Sequence, residues 1–190
     1  MIKGTIIHLL PAALKDRQKV YEWCFHSETT KSHSGFPCYP DVPIPTFEEF
    51  CDNYYTDYFF TGSKQNDGRG YIIMDETEPV GFISYCSFHL KPYKAELDIW
   101  MKSEADCGKG FGTDAIIALA DYLGGTMEIR EIIMRPALKN ARAIRSYKKA
   151  GLKESTKQPS DYLLEEYIHI YGDGDYGNGK TALLIKRQEI

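Results

Sequence analysis

The chain has 190 residues, 43% of them apolar and 26% charged, enough for one sizeable core and far from a disordered or collagen-like composition. Twenty-three Lys and Arg against 27 Asp and Glu leave a net charge of −4, which argues against nucleic acid as a partner. No apolar run approaches the ~20 residues of a membrane helix or forms a secretory leader, so a membrane is not an expected partner either.

Residues 4–10 are β-branched and apolar and predict a strand. Pro11 sits where a helix can begin, and Leu14, Val20, Tyr21, Trp23 and Cys24 recur at roughly helical spacing up to His26. Residues 28–45 hold Ser32, Ser34, Gly35, Pro37, Pro40, Pro43 and Pro45; this predicts a long loop, a candidate wall for a substrate. Thr46 with Glu49 forms a capping box, starting a second helix that runs to about Tyr58.

The middle is β-rich. Residues 70–74 and 80–88 predict a hairpin around a turn at 75–79. Residues 94–101 alternate, with Ala95, Leu97, Ile99 and Met101 on one face and Glu96, Asp98 and Trp100 on the other. A helix is expected from Gly110 to Leu123, ended by Gly124-Gly125, and a short strand at 131–134. Asn140 caps a helix through Ala150, closed by Gly151. The tail predicts a strand at 162–171, a Gly/Asp turn and a strand at 181–186. Strands outnumber crossover helices, so the fold class is α/β (α+β): one domain over residues 1–190, with a mixed central sheet and helices on both faces.

Charge is segregated along the chain. Residues 36–67 carry Asp41, Glu48, Glu49, Asp52, Asp57 and Asp67 against Lys64 alone. Residues 130–153 carry Arg130, Arg135, Lys139, Arg142, Arg145, Lys148, Lys149 and Lys153 against Glu131 alone. An anionic ligand near the second stretch and a cationic one near the first would suit this pattern, as would two solvated helix faces.

The most informative stretch is Cys107-Gly108-Lys109-Gly110-Phe111-Gly112-Thr113, between a strand and a helix. Glycines let the backbone approach a ligand closely, and the unpaired amides and dipole of the following helix favour phosphate. A Walker loop is absent, since no Gly-Lys pair there precedes Ser or Thr. The dinucleotide pattern is formally met by Gly110, Gly112 and Ala115, but no βαβ unit opens the chain.

A second motif raises the specificity. Asn140 to Leu152 reads N-A-R-A-I-R-S-Y-K-K-A-G-L. Together with C-G-K-G-F-G-T it resembles the GNAT superfamily of acetyl-CoA-dependent N-acetyltransferases, whose loop Gln/Arg-x-x-Gly-x-Gly/Ala precedes Asn-x-x-Ala/Ser-x-x-x-Tyr-x-Lys-x-Gly-Phe. Cys107 replaces the usual Gln or Arg, and Leu152 the Phe. The resemblance implies a single GNAT-type domain with acetyl-CoA as cosubstrate, no metal, and an amine as acceptor. It places Gly108, Lys109, Gly110, Phe111, Gly112 and Thr113 around the pyrophosphate, with Arg142 nearby. Asn140 would contact the cofactor chain, Tyr147 would contact it and protonate the departing thiolate, and a backbone N–H near Trp100 or Met101 would polarise the carbonyl.

Within the superfamily the pattern is similar to aminoglycoside 6′-N-acetyltransferases, which carry an Asp nine residues before the loop's first position, as Asp98 precedes Cys107. Their Asp-Pro before the second helix is Arg135-Pro136 here. The implied acceptor is a small polycationic amine, with Asp98 or Glu96 receiving the ammonium proton. A protein N-terminus as acceptor, and a non-catalytic acetyl-CoA sensor, are the rival readings. A homodimer is left open.

The remaining features are discounted. Residues 172–179 are rich in Gly and Asp but miss the EF-hand spacing, and so predict a hairpin turn. The five His form no metal-ligand spacing. Five Cys (Cys24, Cys38, Cys51, Cys86, Cys107), odd in number and without C-x-x-C, fit free thiols in the cytoplasm.

Overall fold

One mixed sheet organises the chain. In the computed structural model, which describes residues 1–30, 44–177 and 179–188, the strands are β1 (Ile2–Lys3), β2 (His8–Pro11), β3 (Gly68–Met74), β4 (Pro79–Cys86), β5 (Lys94–Met101), β6 (Glu131–Met134), β7 (Lys153–Glu154) and β8 (Leu184–Arg187). Their spatial order is β1-β2-β3-β4-β5-β6-β8-β7. Every pairing is antiparallel except β5 with β6. The helices are α1 (Arg17–Phe25), α2 (Phe47–Glu49), α3 (Asp57–Thr61), α4 (Phe111–Met127), α5 (Ala141–Lys149), α6 (Pro159–Tyr162) and α7 (Glu165–Tyr171).

The alternation read from residues 94–101 decides which layer each side chain joins. Ala95, Leu97, Ile99 and Met101 pack with Ala115, Ile116, Leu119 and Leu123 of α4 and with Tyr147 of α5. Trp100 points the other way, into Val20, Tyr21, Phe50, Phe59 and Phe82 under α1 and α3. The expected mixed sheet with helices on both faces is what forms. A third, smaller cluster joins Leu90, Ile133 and Ile185 to Tyr162 and Leu163 beside α6 and α7.

Several expected elements differ. The strand at 4–10 is divided: residues 4–7 turn around Asp114, whose carboxylate accepts the N–H groups of Thr5, Ile6 and Ile7 at 3.0, 2.8 and 3.1 Å. The Thr46 capping box forms with both bonds in place, at 2.7 and 3.1 Å. The helix it starts passes into a π turn at Phe50–Tyr54, and a new helix begins at Asp57. Gly124-Gly125 does not end α4, which continues to Met127 and stops at Glu128 with φ +56°. A Cβ on Gly124 would lie 2.9 Å from Gln188 Oε1, so this glycine makes room for a neighbour and is not a stop signal.

Residues 162–171 do not form a strand: α6 ends at Tyr162, Leu163 makes a single bridge to Leu90, and α7 follows from Glu165 to Tyr171. Pro159 begins α6, and Asp161 accepts the Gln158 N–H at 2.8 Å, closing the first turn. Ile168 and Tyr171 then pack beside Leu90 and Leu163. That helical face outweighs the strand preference of Tyr and Ile. The last strand starts late, at Leu184, because Thr181 bridges Ala137 and the Ala182 N–H goes to Pro136 at 2.9 Å. Residues 31–43, most of the expected loop at 28–45, lie outside the described residues, as do Cys38 and Asp41.

Asp114 ties the first hairpin to the first turn of α4 through three charge-assisted bonds. Asp114→Ala should therefore lower stability by about 2 kcal/mol, read as a lower urea midpoint with an unchanged m-value.

Candidate active site

Strands β5 and β6 pair only at Lys94–Glu131, Ala95–Ile132 and Glu96–Ile133. Beyond Glu96, β5 runs on to Met101 along β4, so the two parallel strands part and leave a cleft. Which amides face it follows from the ladder. The Lys102 N–H donates to Val80 at 2.9 Å, so residues 100 and 98 also turn their amides toward β4, while 99 and 101 turn theirs to the cleft. Trp100 is thereby displaced as the carbonyl-polarising amide, and its indole N–H goes to Val20 at 3.3 Å. Ile99 and Met101 hold the cleft-facing positions. The Ile99 N–H is met by Asp98 Oδ1 at 2.9 Å, and the Met101 carbonyl accepts from the buried Thr29 hydroxyl at 3.2 Å.

The glycine loop lies along this open half of β5. Gly108 and Gly110 take φ of +77° and +90°, which side chains rarely adopt. Gly110 is the N-cap of α4, so the amides of Phe111, Gly112 and Thr113 form its first turn and point out of its end. A Cβ on Gly108 would meet nothing within 4 Å, and one on Gly112 would meet Ile99 Cδ1 at 3.6 Å and Met101 Sδ at 3.7 Å, both ordinary contacts. The fold itself does not require glycine at 112. A cradle that a side chain would fill, over outward amides, suits a pyrophosphate.

Around the loop, Lys109 lies over the Phe111 ring at 5.6 Å, and the Thr113 hydroxyl meets Ser146 of α5 at 2.9 Å. Arg142 is paired with Glu104, Nη2 to Oε1 at 2.9 Å, which ties α5 to the turn before the loop. Asn140 caps α5 by accepting the Ala143 N–H at 3.0 Å.

Past the open edge of β5 the cleft widens into a cavity of about 220 Å³, whose walls include Tyr55, Asp98, Asn140, Tyr147, Asp175 and Tyr176. Asp98 opens onto it. Its Oδ2 accepts from the Tyr55 hydroxyl at 2.9 Å, and that hydroxyl also meets Ser84 Oγ at 2.9 Å. The protein packed around Asp98 is the main reason its carboxyl is raised to about 6, although the side chain stays open to the cavity; Asp175 and Glu96 push it the same way against the bonds from Tyr55 and Ile99. Tyr147 is nine-tenths buried. Burial, and after it the Asp98 charge, hold its phenol well above the usual tyrosine range. A carboxyl raised to about 6 and a phenol that stays protonated thus line one cavity.

Glu96 shares the Asp98 face of β5 but not its chemistry. Arg135 Nε and Nη2 fork onto Oε1 and Oε2 at 2.6 and 2.9 Å, and His89 Nε2 meets Oε2 at 2.8 Å. Burial opposes ionisation, yet the guanidinium and His89 outweigh it and bring the carboxyl to about 2. This corrects Glu96 as a proton acceptor: a carboxylate so stabilised is a weak base. It also gathers donors that spacing alone did not suggest, since Cys86, His89 and Glu96 place their ligand atoms within 4.8 Å of one another. With Arg135 on both carboxylate oxygens, that set reads as an ion-pair network and not a cation cage.

Sequence reasoning missed Tyr55, Ser84, Arg135, Tyr171, Asp175 and Tyr176 as cavity residues. Tyr55 carries a faint signal in its aromatic cluster at 54–60. Asp175 and Tyr176 carry none, because the segment holding them reads as a surface turn.

The model of the acetyltransferase (GNAT) domain family matches residues 7–153. Aminoglycoside N(6′)-acetyltransferase type 1 proteins of Klebsiella pneumoniae and Serratia marcescens are each 27% identical over 148 residues, 73% of this chain and 69% of theirs. The fold resembles aminoglycoside acetyltransferase AAC(6′)-Ib in complex with coenzyme A, with a TM-score of 0.68 at 20% identity over 96% of this chain and 95% of that one. It also resembles spermidine N-acetyltransferase from Vibrio cholerae in complex with CoA and spermine, with a TM-score of 0.67 at 18% identity over 96% and 95%. Splayed strands beside a glycine loop and a matching family model over most of the chain lead to one conclusion: it belongs to the acetyltransferase (GNAT) family and is an acetyl-CoA-dependent N-acetyltransferase.

Proposed function

We propose that this acetyltransferase acts on a small polycationic amine, an aminoglycoside or a polyamine, by direct attack of the amine on the acetyl thioester. The observation that carries the reading is Asp98, a carboxyl raised to about 6 at the mouth of the cofactor cleft in a cavity that also holds Asp175. Amines of this kind are mostly ammonium at neutral pH, and only the free base attacks a thioester. A carboxylate would draw in the cation and take its proton. The named relatives act on such amines.

In the proposed mechanism the amides of Phe111, Gly112 and Thr113 receive the pyrophosphate, with Gly108, Lys109 and Gly110 shaping the loop and Arg142 adding positive charge beside it. Asn140 lines the path of the pantetheine arm. The cleft-facing edge of Ile99 and Met101 aligns the acetyl group and offers an amide to its oxygen, so that orientation and a fixed dipole supply most of the effect. Asp98 accepts the ammonium proton, Tyr147 gives its phenol proton to the departing sulfur, and the second proton shed by the nitrogen as the amide forms restores the phenol. The free thiols of Cys24, Cys51, Cys86 and Cys107 suit a cytoplasmic setting, and no helix among the described residues is long and apolar enough to cross a membrane.

The test is CoA release from acetyl-CoA against a panel of aminoglycosides, spermidine, simple monoamines and an N-terminal peptide. Saturable turnover with a polycationic amine supports the reading. Turnover with the peptide alone replaces it with protein acetylation, and turnover with nothing replaces it with a sensor. Tyr147→Phe should lower kcat by about 10²-fold while acetyl-CoA affinity stays within about twofold, because a thiolate departs slowly without its acid yet still departs. Stopped-flow binding beside steady-state rates separates the two quantities.

A further inference from the structure

Arg135 stands where β6 runs out, and its guanidinium reaches across the parting of the strands. Two of its nitrogens fork onto Glu96 of β5. Nη1 donates to the carbonyl of Tyr171, the last residue of α7, and the Tyr162 hydroxyl lies within its hydrogen-bonding reach. The side chain is 7% exposed. From Tyr171 the chain turns directly into residues 172–177, which bring Asp175 and Tyr176 to the cavity that holds Asp98.

We infer that Arg135 is a positioning residue for the acceptor: by joining Glu96 to the Tyr171 carbonyl, it holds the segment carrying Asp175 and Tyr176 against the cavity floor. The inference rests on the proposed reading that this cavity takes the amine. Arg135 acts through the segment, since Nε and Nη2 go to Glu96 and Nη1 goes to the Tyr171 carbonyl. Other contacts join in, among them the Thr181 hydroxyl, which donates to the Asp173 carbonyl at 3.2 Å. The Tyr171 ring lies 5.0 Å from His89 and 6.1 Å from Phe88, and Gly174 and Gly177 adopt φ of +68° and +83°, conformations that leave the backbone few side-chain constraints. Asp175 is close enough to help raise the Asp98 carboxyl, so its placement also bears on the proton acceptor.

Removing Arg135 alone would strand the buried Glu96 charge and could unfold the chain. The test is therefore the double variant Arg135→Met with Glu96→Gln, read against Glu96→Gln, which keeps the bond to Tyr171. In the double variant, amide exchange at residues 172–177 should accelerate by about tenfold or more, with α4 and β4 unchanged. The acceptor KM should rise by about tenfold, with kcat within about threefold and CoA affinity unaltered. Glu96→Gln should keep the slow exchange at 172–177, and Arg135→Lys, with the charge but not the fork, should fall between. Unchanged exchange in the double variant, or exchange that rises equally across the chain, would overturn the inference. If the parent protein acetylates no amine, the proposed function falls, and the exchange data still decide what Arg135 holds.

Discussion

In a Gly112→Val chain, affinity for CoA falls by about 10²-fold or more while the melting temperature holds or rises slightly. The two halves of this expectation come from different sides of the same residue. On the protein side, a Cβ at Gly112 meets only Ile99 Cδ1 and Met101 Sδ at ordinary contact distances of 3.6 and 3.7 Å. Replacing glycine inside the first turn of a helix also removes backbone freedom from the unfolded chain. On the ligand side, the branched side chain stands over the amides of the α4 terminus and keeps a pyrophosphate from reaching them. Losing two or three charge-assisted bonds amounts to about 3 kcal/mol, hence the factor of 10². Gly110 is a poorer probe, because its φ of +90° strains any side chain whatever the ligand does. Calorimetry with CoA measures the first half and thermal unfolding the second; unchanged affinity in the folded variant removes the loop from cofactor binding.

The sequence and the structure agree where the physics is local. The alternation over residues 94–101 sorts Leu97 from Asp98 without any knowledge of neighbours, and the Thr46 and Asn140 caps announce themselves through side chains that bond within three residues. The glycine loop and the helix from Asn140 were legible for the same reason. What stayed hidden depends on distant partners. Asp114 splits the first strand by reaching across 107 to 109 positions. Residues 162–171 look like a strand until Leu90 and Leu163 supply the apolar surface that a helix can cover. Glu96 and Asp98, two residues apart on one strand face, looked interchangeable; Arg135 makes one a fixed anion, while the surrounding protein and Asp175 raise the other to about 6 against the bond from Tyr55, and none of the three is a neighbour in sequence. The Arg135-Pro136 pair, a mere departure from a motif when read in sequence, becomes a structural tie once Glu96 and Tyr171 are in view.

Asp98→Asn should separate activity from stability. Folding raises the Asp98 carboxyl from its ordinary 3.8 to about 6, so its ionised form is disfavoured in the folded protein, and stability is lost as pH rises through that interval. Asparagine keeps the shape without the charge. The variant should melt higher than the parent at pH 8 and show no such gain below about pH 3, where the parent carboxyl is protonated in both states. Activity should move the other way. In the parent, kcat/KM rises with pH as Asp98 ionises near 6. In the variant that limb vanishes, kcat/KM at pH 7 falls by about 10²–10³-fold, and part of it returns toward pH 9–10, where the amine with its pKa near 10 supplies its own free base. Coulomb attraction for the cation is lost as well, so the acceptor KM should rise, most at low salt. Tyr55→Phe gives an internal check: without the hydroxyl donated to Oδ2 the Asp98 carboxylate is less stabilised, and the acid limb should shift to higher pH. A parental pH–rate profile in Asp98→Asn on its best amine would mean that the proton leaves by another route. With Glu96 locked by Arg135, that route would have to run through Asp175 or a water chain to bulk solvent.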